Sequence, residues 1–185
     1  MARFIYAFQV TARSRILDVG GTPGIWSYLP CKPEVTFTNL STAAMGAAQG
    51  VIADGRMLPF RDGAFDIVFR NSVIEHVGDW AAQQRFAAEC RRVGRRYYIQ
   101  TPDYWFPIEP HLISPFIDWL PRAARGHAFP FTLCAIIDRD ARKHRDDYAS
   151  IALLTRTQMH ALFPEAQIWR ERLLGLSKSL IAVRL

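Results

Sequence analysis

Two glutamate–histidine pairs are the residues of this sequence best suited to move a proton. Glu75 directly precedes His76, and Glu109 lies two positions before His111. A histidine has an ordinary pKa near neutrality, and a neighbouring carboxylate can hold the ring in one tautomer. The pairs therefore predict a general base or a group that orients a substrate. Each pair could equally be structural, with Glu75 as a cap or ion-pair partner and His111 packed within a loop.

A glycine-rich turn near the start of the chain predicts a ligand site. Residues 15–19 have the composition of a β-strand, and the strand ends in Gly20-Gly21-Thr22-Pro23-Gly24. Such a turn presents backbone N–H groups, and Gly20 and Gly24 can adopt positive φ and let a ligand approach. Asp18 precedes the turn, so its carboxylate is expected to face the crevice. The spacing differs from the G-x-G-x-x-G of nicotinamide-binding folds and favours a ligand with an amino group.

The elements around these residues alternate between strands and helices. Strands are predicted at 34–40, 50–53, 65–72 and 95–100, with an Ala-rich helix over 41–49 and a longer helix that Asp79 caps. Asn39 ends the second strand, 39 − 18 = 21 residues after Asp18, the separation at which nucleotide-binding sheets place a ribose-binding side chain. Residues 103–150 interrupt the alternation, which returns with a helix capped by Thr155 and strands over 166–173 and 179–185.

Four segments in this order resemble the class I S-adenosylmethionine-dependent methyltransferases, in the small-molecule branch called type 11. They are LDVGG at 17–21, ADGRMLPF at 53–60, FDIVFRNSVIEHV at 65–77 and YYIQTPD at 97–103. The family's first motif, D/E-x-G-x-G-x-G, corresponds to residues 18–24 with Thr22 in place of the middle glycine. Asn39 stands where the family usually has an acidic residue. The resemblance covers residues 15–102 and 151–185.

The resemblance implies a Rossmann-like α/β fold and S-adenosyl-L-methionine as the cofactor. The expected fold is a mostly parallel seven-stranded sheet with a C-terminal antiparallel β-hairpin. It forms a single domain over 1–185, with the core at 15–102 and 151–185 and a substrate-side insertion at 103–150. Asn39 is expected to accept from the ribose hydroxyls and Asp54 from the adenine amino group. The implied cofactor contacts are Asp18, Gly20, Gly21, Gly24, Asn39, Leu40, Asp54, Gly55, Arg56, Asn71 and Ser72, and the candidate catalytic residues are Glu75, His76, Glu109 and His111.

The insertion combines aromatic residues with helix-breaking prolines and basic residues. Pro115 and Pro121 interrupt any long helix. The aromatic residues predict an apolar pocket for a small-molecule or lipid-like substrate. Residues 116–120 also suit a peripheral contact with a membrane surface.

Composition limits the remaining function classes. The chain has 185 residues, of which 50% are hydrophobic and 22% charged, as in a globular domain. The sequence has no run of about 18 apolar residues that would form a membrane span. Cys31, Cys90 and Cys134 are odd in number and far apart, which predicts reduced thiols in the cytoplasm. No obligate protein partner is inferred.

Three alternatives remain open at this point. The net charge of +6 permits an RNA substrate, although the sequence contains no recognised RNA-binding module. A cofactor-binding protein without catalysis is a second alternative, which Thr22 and Asn39 favour. A metal held by the two glutamate–histidine pairs would resemble the site of small-RNA 2′-O-methyltransferases. Those enzymes have another glutamate three residues before the Glu-His pair, where this chain has Ser72, so no metal is predicted.

Overall fold

A computed structural model describes residues 1–41, 43, 50–109, 114–120, 124, 127, 132, 136–137 and 151–185. The strands are β1 (Arg15–Val19), β2 (Glu34–Asn39), β3 (Gly50–Ile52), β4 (Phe65–Asn71), β5 (Gly94–Pro102), β6 (Ile108–Glu109), β7 (Ser114–Pro115), β8 (Gln167–Leu173) and β9 (Leu176–Arg184). The α-helices with described bounds are α1 (Ala2–Phe8), α2 (Gly24–Ser27), α3 (Trp80–Val93) and α4 (Arg156–Leu162). Short 3₁₀ helices lie at Ile74–His76 and Ile117–Trp119.

The main sheet has seven strands in the order β3-β2-β1-β4-β5-β9-β8. The first five are parallel, whereas β9 is antiparallel to both β5 and β8. The predicted fold is thereby confirmed, including the last strand inserted inside the edge of the sheet. Because the parallel strands run the same way, the residues that follow β1, β2, β3, β4 and β5 meet at one edge of the sheet. We call it the carboxyl edge of the sheet.

Helices cover both faces of the sheet. One face carries an aromatic layer in which the Phe69 and Tyr98 rings are stacked at 5.4 Å and Phe4 of α1 packs against both. On the other face, Phe86 of α3 and Met159 of α4 are fully buried against β1, β4, β5 and β9. This two-sided burial explains the nearly continuous apolar run of β4.

Some predicted boundaries shift for identifiable reasons. Asp79 caps α3 as predicted, with its carboxylate accepting from the Ala82 N–H at 2.8 Å. Gly94 ends α3 but also begins β5, and a Cβ there would overlap the Val68 side chain. The last hairpin turns at 174–175, where Gly175 has φ +83, so β9 starts at Leu176 instead of 179. The predicted helix over 41–49 falls mostly outside the described residues.

The insertion contributes a short hairpin in its described part. β6 and β7 are antiparallel, with Ile108 opposite Pro115. Asp103 forms an isolated parallel bridge with Leu154, which ties the start of the insertion to the segment that follows it. Across the described ranges, helices long and apolar enough to cross a membrane are absent.

Candidate active site

A cavity of about 260 Å³ opens at the carboxyl edge beside β1, β2 and β3. This volume suits one part of a small ligand, since whole ligand pockets measure roughly 300–1,000 Å³. Loop residues that follow four successive strands meet around it. Its walls are formed by Val19, Gly20, Thr38, Asn39, Leu40, Ala53, Asp54, Gly55, Arg56, Val73, His76, Val77 and Phe86.

The glycine turn after β1 forms one wall of this cavity. Gly20 has φ +74, a conformation that residues with a Cβ rarely adopt, and its N–H donates to the Thr38 carbonyl at 2.5 Å. A Cβ at Gly20 would lie 3.3 Å from the Val73 side chain. Gly24 differs from the expectation of positive φ, because it is the first residue of α2; a Cβ there would meet open space.

Asn39 and Leu40 reach the cavity from the end of β2. The Asn39 side-chain oxygen accepts from the Leu40 N–H at 2.9 Å, so the strand end is held in a tight local turn. The amide oxygen keeps a second lone pair, and the NH₂ group adds donors. Thr38 is fully buried beside it, and its hydroxyl has no hydrogen-bond partner. This polar group in the cavity wall fits a ligand that carries hydroxyls.

Asp54 and Arg56 form the wall after β3. The Asp54 carboxylate accepts from the Arg56 backbone N–H at 2.8 Å and from its guanidinium at 2.5 Å. These hydrogen bonds hold the pKa of Asp54 below its ordinary value. Gly55 lies between them, and a Cβ there would overlap Phe86 and Val19. Asp54 is therefore ionised at neutral pH and is available to accept from an amino group at the cavity rim.

The loop that carries Asp54 is anchored on α3. Glu89 accepts from the Leu58 N–H at 2.6 Å, and Arg92 donates to the carbonyls of Leu58 and Phe60. Glu89 and Arg92 also form an ion pair of 2.7 Å one helical turn apart. These contacts hold the rim of the cavity to the rigid part of the domain.

Asp18 is buried and is not one of the residues that line the cavity. Its side chain is 1% exposed, accepts from the Trp26 indole at 2.7 Å and pairs with Arg70 at 3.3 Å. Burial raises the pKa of Asp18 and lowers that of Arg70, and their mutual attraction opposes both shifts. A Cβ at Gly21 would overlap this carboxylate. Here the acidic residue of the motif stabilises the turn, and direct contact with the cofactor stays a prediction.

Glu75 and His76 follow β4 in the 3₁₀ helix. Glu75 is fully buried, and its carboxylate accepts from the Thr101 hydroxyl of β5 at 2.9 Å. His76 lines the cavity with its side chain 36% exposed, and its Nε2 lies 3.9 Å from the Glu75 carboxylate. The structure therefore places an accessible histidine next to a buried carboxylate, within the cavity wall.

Two further elements hold this histidine loop in place. The Gln83 amide of α3 donates to the carbonyls of Ile74 and Ala152 at 3.2 and 2.8 Å. The Ala152 N–H donates to the Glu75 carbonyl at 2.8 Å. The loop is thus fixed by α3 and by the segment that follows the insertion.

Other predicted residues lie elsewhere or outside the described part. Asn71 and Ser72 end β4 beside the edge, Ser72 with φ 55, and neither lines the cavity. Glu109 is in β6, but its side chain is not described, and His111 lies outside the described residues. Within the described part, no group of three or more His, Cys, Asp or Glu could hold a metal ion. The role of the second pair stays a prediction.

The sequence did not identify four residues that belong to the site or support it: Arg70, Thr38, Trp26 and Gln83. One signal was available, because Arg70 is a charge within the apolar run of β4, and a charge in a buried strand requires a partner. Thr38 and Gln83 have the residue types of ordinary strand and helix positions. Their roles at the site could therefore be recognised only from the tertiary structure.

Comparison with known proteins gives a family for this domain. A family model described as "Methyltransferase domain", the type 11 methyltransferases, matches residues 17–96. This segment runs from β1 into β5 and contains every described wall of the cavity.

Solved structures show the same fold. A SAM-dependent methyltransferase from Methanosarcina mazei has a TM-score of 0.57 and 15% identity, covering 98% of this chain and 97% of that one. PH0226 from Pyrococcus horikoshii has a TM-score of 0.61 and 15% identity, with 98% and 85% covered. The 1,6-didemethyltoxoflavin-N1-methyltransferase of Burkholderia thailandensis, solved with its substrate and S-adenosylhomocysteine, has a TM-score of 0.58 and 13% identity, with 98% and 73% covered.

At this identity the structural likeness establishes the fold, while the family model covers the segment that forms the site. The sheet order, the glycine turn at its carboxyl edge and the matched segment agree with one another. Residues 17–96 therefore match a methyltransferase-domain family, and the fold of the chain is that of the S-adenosyl-L-methionine-dependent methyltransferases, with S-adenosyl-L-methionine as the cofactor.

Proposed function

We propose that this enzyme methylates a small or lipid-like metabolite and that His76, supported by Glu75, accepts the proton of the acceptor group or orients it. The observation that carries the proposal is the position of His76. Its ring lies in the wall of the cavity, and its Nε2 is 3.9 Å from a fully buried carboxylate.

The residues around the cavity match the parts of the cofactor. Asn39 and the buried Thr38 hydroxyl face the cavity from β2, where they suit the ribose, and Asp54 suits the adenine amino group. The cofactor supplies an electrophilic methyl group on a sulfonium. The protein's contribution is to align the acceptor with that group and to exclude water.

His76 can assist an acceptor that carries a proton. Glu75 next to it favours one ring tautomer and stabilises the imidazolium that forms on proton transfer. Thr101 and Gln83 hold Glu75 and its loop, so the histidine does not need to reorganise during the reaction. The second candidate pair, Glu109 and His111, belongs to the same proposal as an alternative base.

The start of the insertion supports a substrate with apolar character. Thr101 contacts Glu75, and three residues later Tyr104 begins a group of aromatic rings that includes Trp105 at 5.0 Å. The acceptor is therefore expected to meet aromatic side chains as it approaches His76.

Part of the arginine charge that would favour an RNA substrate is neutralised within the protein. Arg15, Arg56, Arg91, Arg92 and Arg184 each form an ion pair with a carboxylate of the protein. Such pairing lowers the positive field that would attract a phosphate backbone.

The test begins with a screen of metabolites and lipids using methyl-labelled cofactor. With an acceptor in hand, His76→Gln is expected to lower kcat by roughly 10²–10⁴ while S-adenosylhomocysteine affinity stays nearly unchanged. His160→Gln is the matched control, because His160 is an exposed histidine of α4 far along the chain from the site. Full turnover in His76→Gln combined with loss in His111→Gln would transfer the role to the second pair. Full turnover in both variants would contradict the proposal.

A further inference from the structure

Gln83 of α3 is a buried glutamine whose side chain joins two segments that are distant in the sequence. Gln83 is 2% exposed. Its amide donates to the Ile74 carbonyl at 3.2 Å and to the Ala152 carbonyl at 2.8 Å. These carbonyls are 152 − 74 = 78 residues apart in the chain. An amide NH₂ group has two donors, so both are used to hold the two segments in one arrangement.

The loop that carries His76 has little support of its own. We define the His76 loop as residues 73–77. It contains the 3₁₀ helix Ile74–His76, which has no side-chain cap, and its His76 N–H donates to the Val73 carbonyl at 2.8 Å. A single 3₁₀ turn has poor hydrogen-bond geometry. Two further carbonyls of the loop accept from outside it, one from the Gln83 amide and one from the Ala152 N–H. The position of His76 therefore depends on these external contacts.

The segment that supplies Ala152 also holds the start of the insertion. We define the strap as residues 151–154, which follow the insertion directly. Its Leu154 is 1% exposed, and the Leu154 carbonyl accepts from the Tyr104 N–H at 3.2 Å. Leu154 also forms the parallel bridge with Asp103. The strap is thus hydrogen-bonded both to the first residues of the insertion and to the His76 loop.

Gln83 can influence methyl transfer only through this loop. It is not among the described residues that line the cavity, whereas His76 is. A group that accepts a proton or orients an acceptor needs a precise position, since a misplacement of about 1 Å can cost about 10² in rate. A change at Gln83 is therefore expected to act on the placement of His76 and not on cofactor contacts.

We propose that the strap couples the insertion to the His76 loop, with Gln83 as the positioning residue that closes the coupling. The seat of the insertion then sets the position of His76, and an acceptor held by the insertion meets the histidine in one geometry. This inference rests on the proposed function of His76, and it adds to that function a link between the two sides of the acceptor site.

The test variant is Gln83→Met, which keeps the length of the side chain and removes both donors. Gln84→Met is the matched control, because it makes the same exchange at the next position of α3, where the side chain is exposed. Circular dichroism and urea unfolding check that both variants fold. Gln83→Asn, an amide that is shorter by one methylene, takes the place of Gln83→Met if the latter does not fold.

The first measurement is amide hydrogen exchange of the full chain, followed by nuclear magnetic resonance without any ligand. Gln83→Met is expected to speed exchange of the His76, Ala152 and Tyr104 amides by at least about fivefold. Tyr104 decides the coupling, because its amide bonds to Leu154 and not to Gln83. Gln84→Met should exchange like the wild type. Unchanged exchange at Tyr104 in the Gln83 variant would overturn the coupling.

The second measurement is turnover with the acceptor that the labelled-methyl screen identifies. Gln83→Met is expected to lower kcat by roughly 10- to 10²-fold, with the KM for S-adenosyl-L-methionine within about twofold of the wild type. In the His76→Gln background the same substitution should lower kcat by less than about twofold, because no imidazole is left to position. An equal loss in both backgrounds would overturn the positioning role.

Two outcomes separate this inference from the proposed function. Low turnover in His76→Gln with full turnover in Gln83→Met would overturn the inference and leave the role of His76 intact. Full turnover in His76→Gln would overturn the inference together with the role of His76.

Discussion

The two halves of the carboxyl edge are built in different ways. On the side of β1, β2 and β3, the polar side chains of the cavity wall have partners close in sequence, such as Asn39 with Leu40 and Asp54 with Arg56. On the side of β4 and β5, the buried side-chain contacts join distant segments: Arg70 reaches Asp18, 52 residues away, and Thr101 reaches Glu75, 26 residues away. The half at the cavity, where we propose that the cofactor binds, therefore depends mainly on local turns, and the half at β4 and β5 depends on the packing of the sheet.

This difference indicates how each half should respond to substitution. A local turn can lose ligand affinity while the domain stays folded. A buried network that joins β1, β4 and β5 is part of the core, so its loss affects stability first. The following variants test that division, from the largest expected effect to the smallest.

Arg70→Met is expected to cause the largest loss. It leaves the Asp18 carboxylate 1% exposed without its cation, and breaking a buried ion pair in this way costs about 3–5 kcal/mol. The free energy of unfolding in urea measures it. Asp18→Asn/Arg70→Met should recover most of the loss, because the amide is uncharged and can still accept from Trp26. A cost below about 1 kcal/mol for Arg70→Met would show that the pair does not stabilise the half at β4 and β5.

Gly21→Ala tests where the glycine turn meets the core. Its Cβ would overlap the Asp18 carboxylate, and such overpacking costs about 1–3 kcal/mol of unfolding free energy. Gly24→Ala is the matched control, since nothing lies near its added Cβ. It should keep the stability of the wild type, and any fall in S-adenosylhomocysteine affinity would place Gly24 against the cofactor. Equal stability losses in both variants would contradict the distinction.

Asp54→Ala should weaken cofactor binding with little effect on folding. Removing the proposed acceptor of the adenine amino group is expected to cost about 1–3 kcal/mol of binding free energy. Calorimetry with S-adenosylhomocysteine gives this value. Asn39→Asp should bind equally well or more tightly, because a carboxylate accepts from both ribose hydroxyls. If Asn39→Asp abolished binding in a folded protein, the role assigned to the end of β2 would be wrong.

Glu89→Gln should show a small effect that depends on pH. Hydrogen bonds from Arg92, together with that from the Leu58 N–H, lower the pKa of Glu89 from its ordinary 4.5. A lowered folded-state pKa contributes stability that is present above 4.5 and is lost as pH falls through the folded-state value. Wild type should therefore exceed Glu89→Gln by less than about 1 kcal/mol at pH 7, with the gap closing in acid. A gap that stays constant down to pH 2 would exclude this linkage.

The amino-acid sequence by itself determined the fold and the local turns around the cavity. The β-strand before a glycine turn, the end of β2 at Asn39 and the Asp-Gly turn after β3 are local patterns, and local patterns are set by backbone preferences that a sequence displays directly. The ordered motifs from 17 to 103 then identified the family, which the family model matched from 17 to 96 confirms.

Tertiary structure alone decided the role of Asp18 and the setting of His76. The expectation that Asp18 faces the crevice rests on its place before the turn and stays a prediction, whereas its pairing with an arginine 52 residues later is visible only in the structure. The burial of the Glu75 side chain and its hydrogen bond with Thr101 likewise depend on β4 and β5 lying side by side. Desolvation and pairing of charges are properties of the packed sheet, because they are set by neighbours that are distant in sequence.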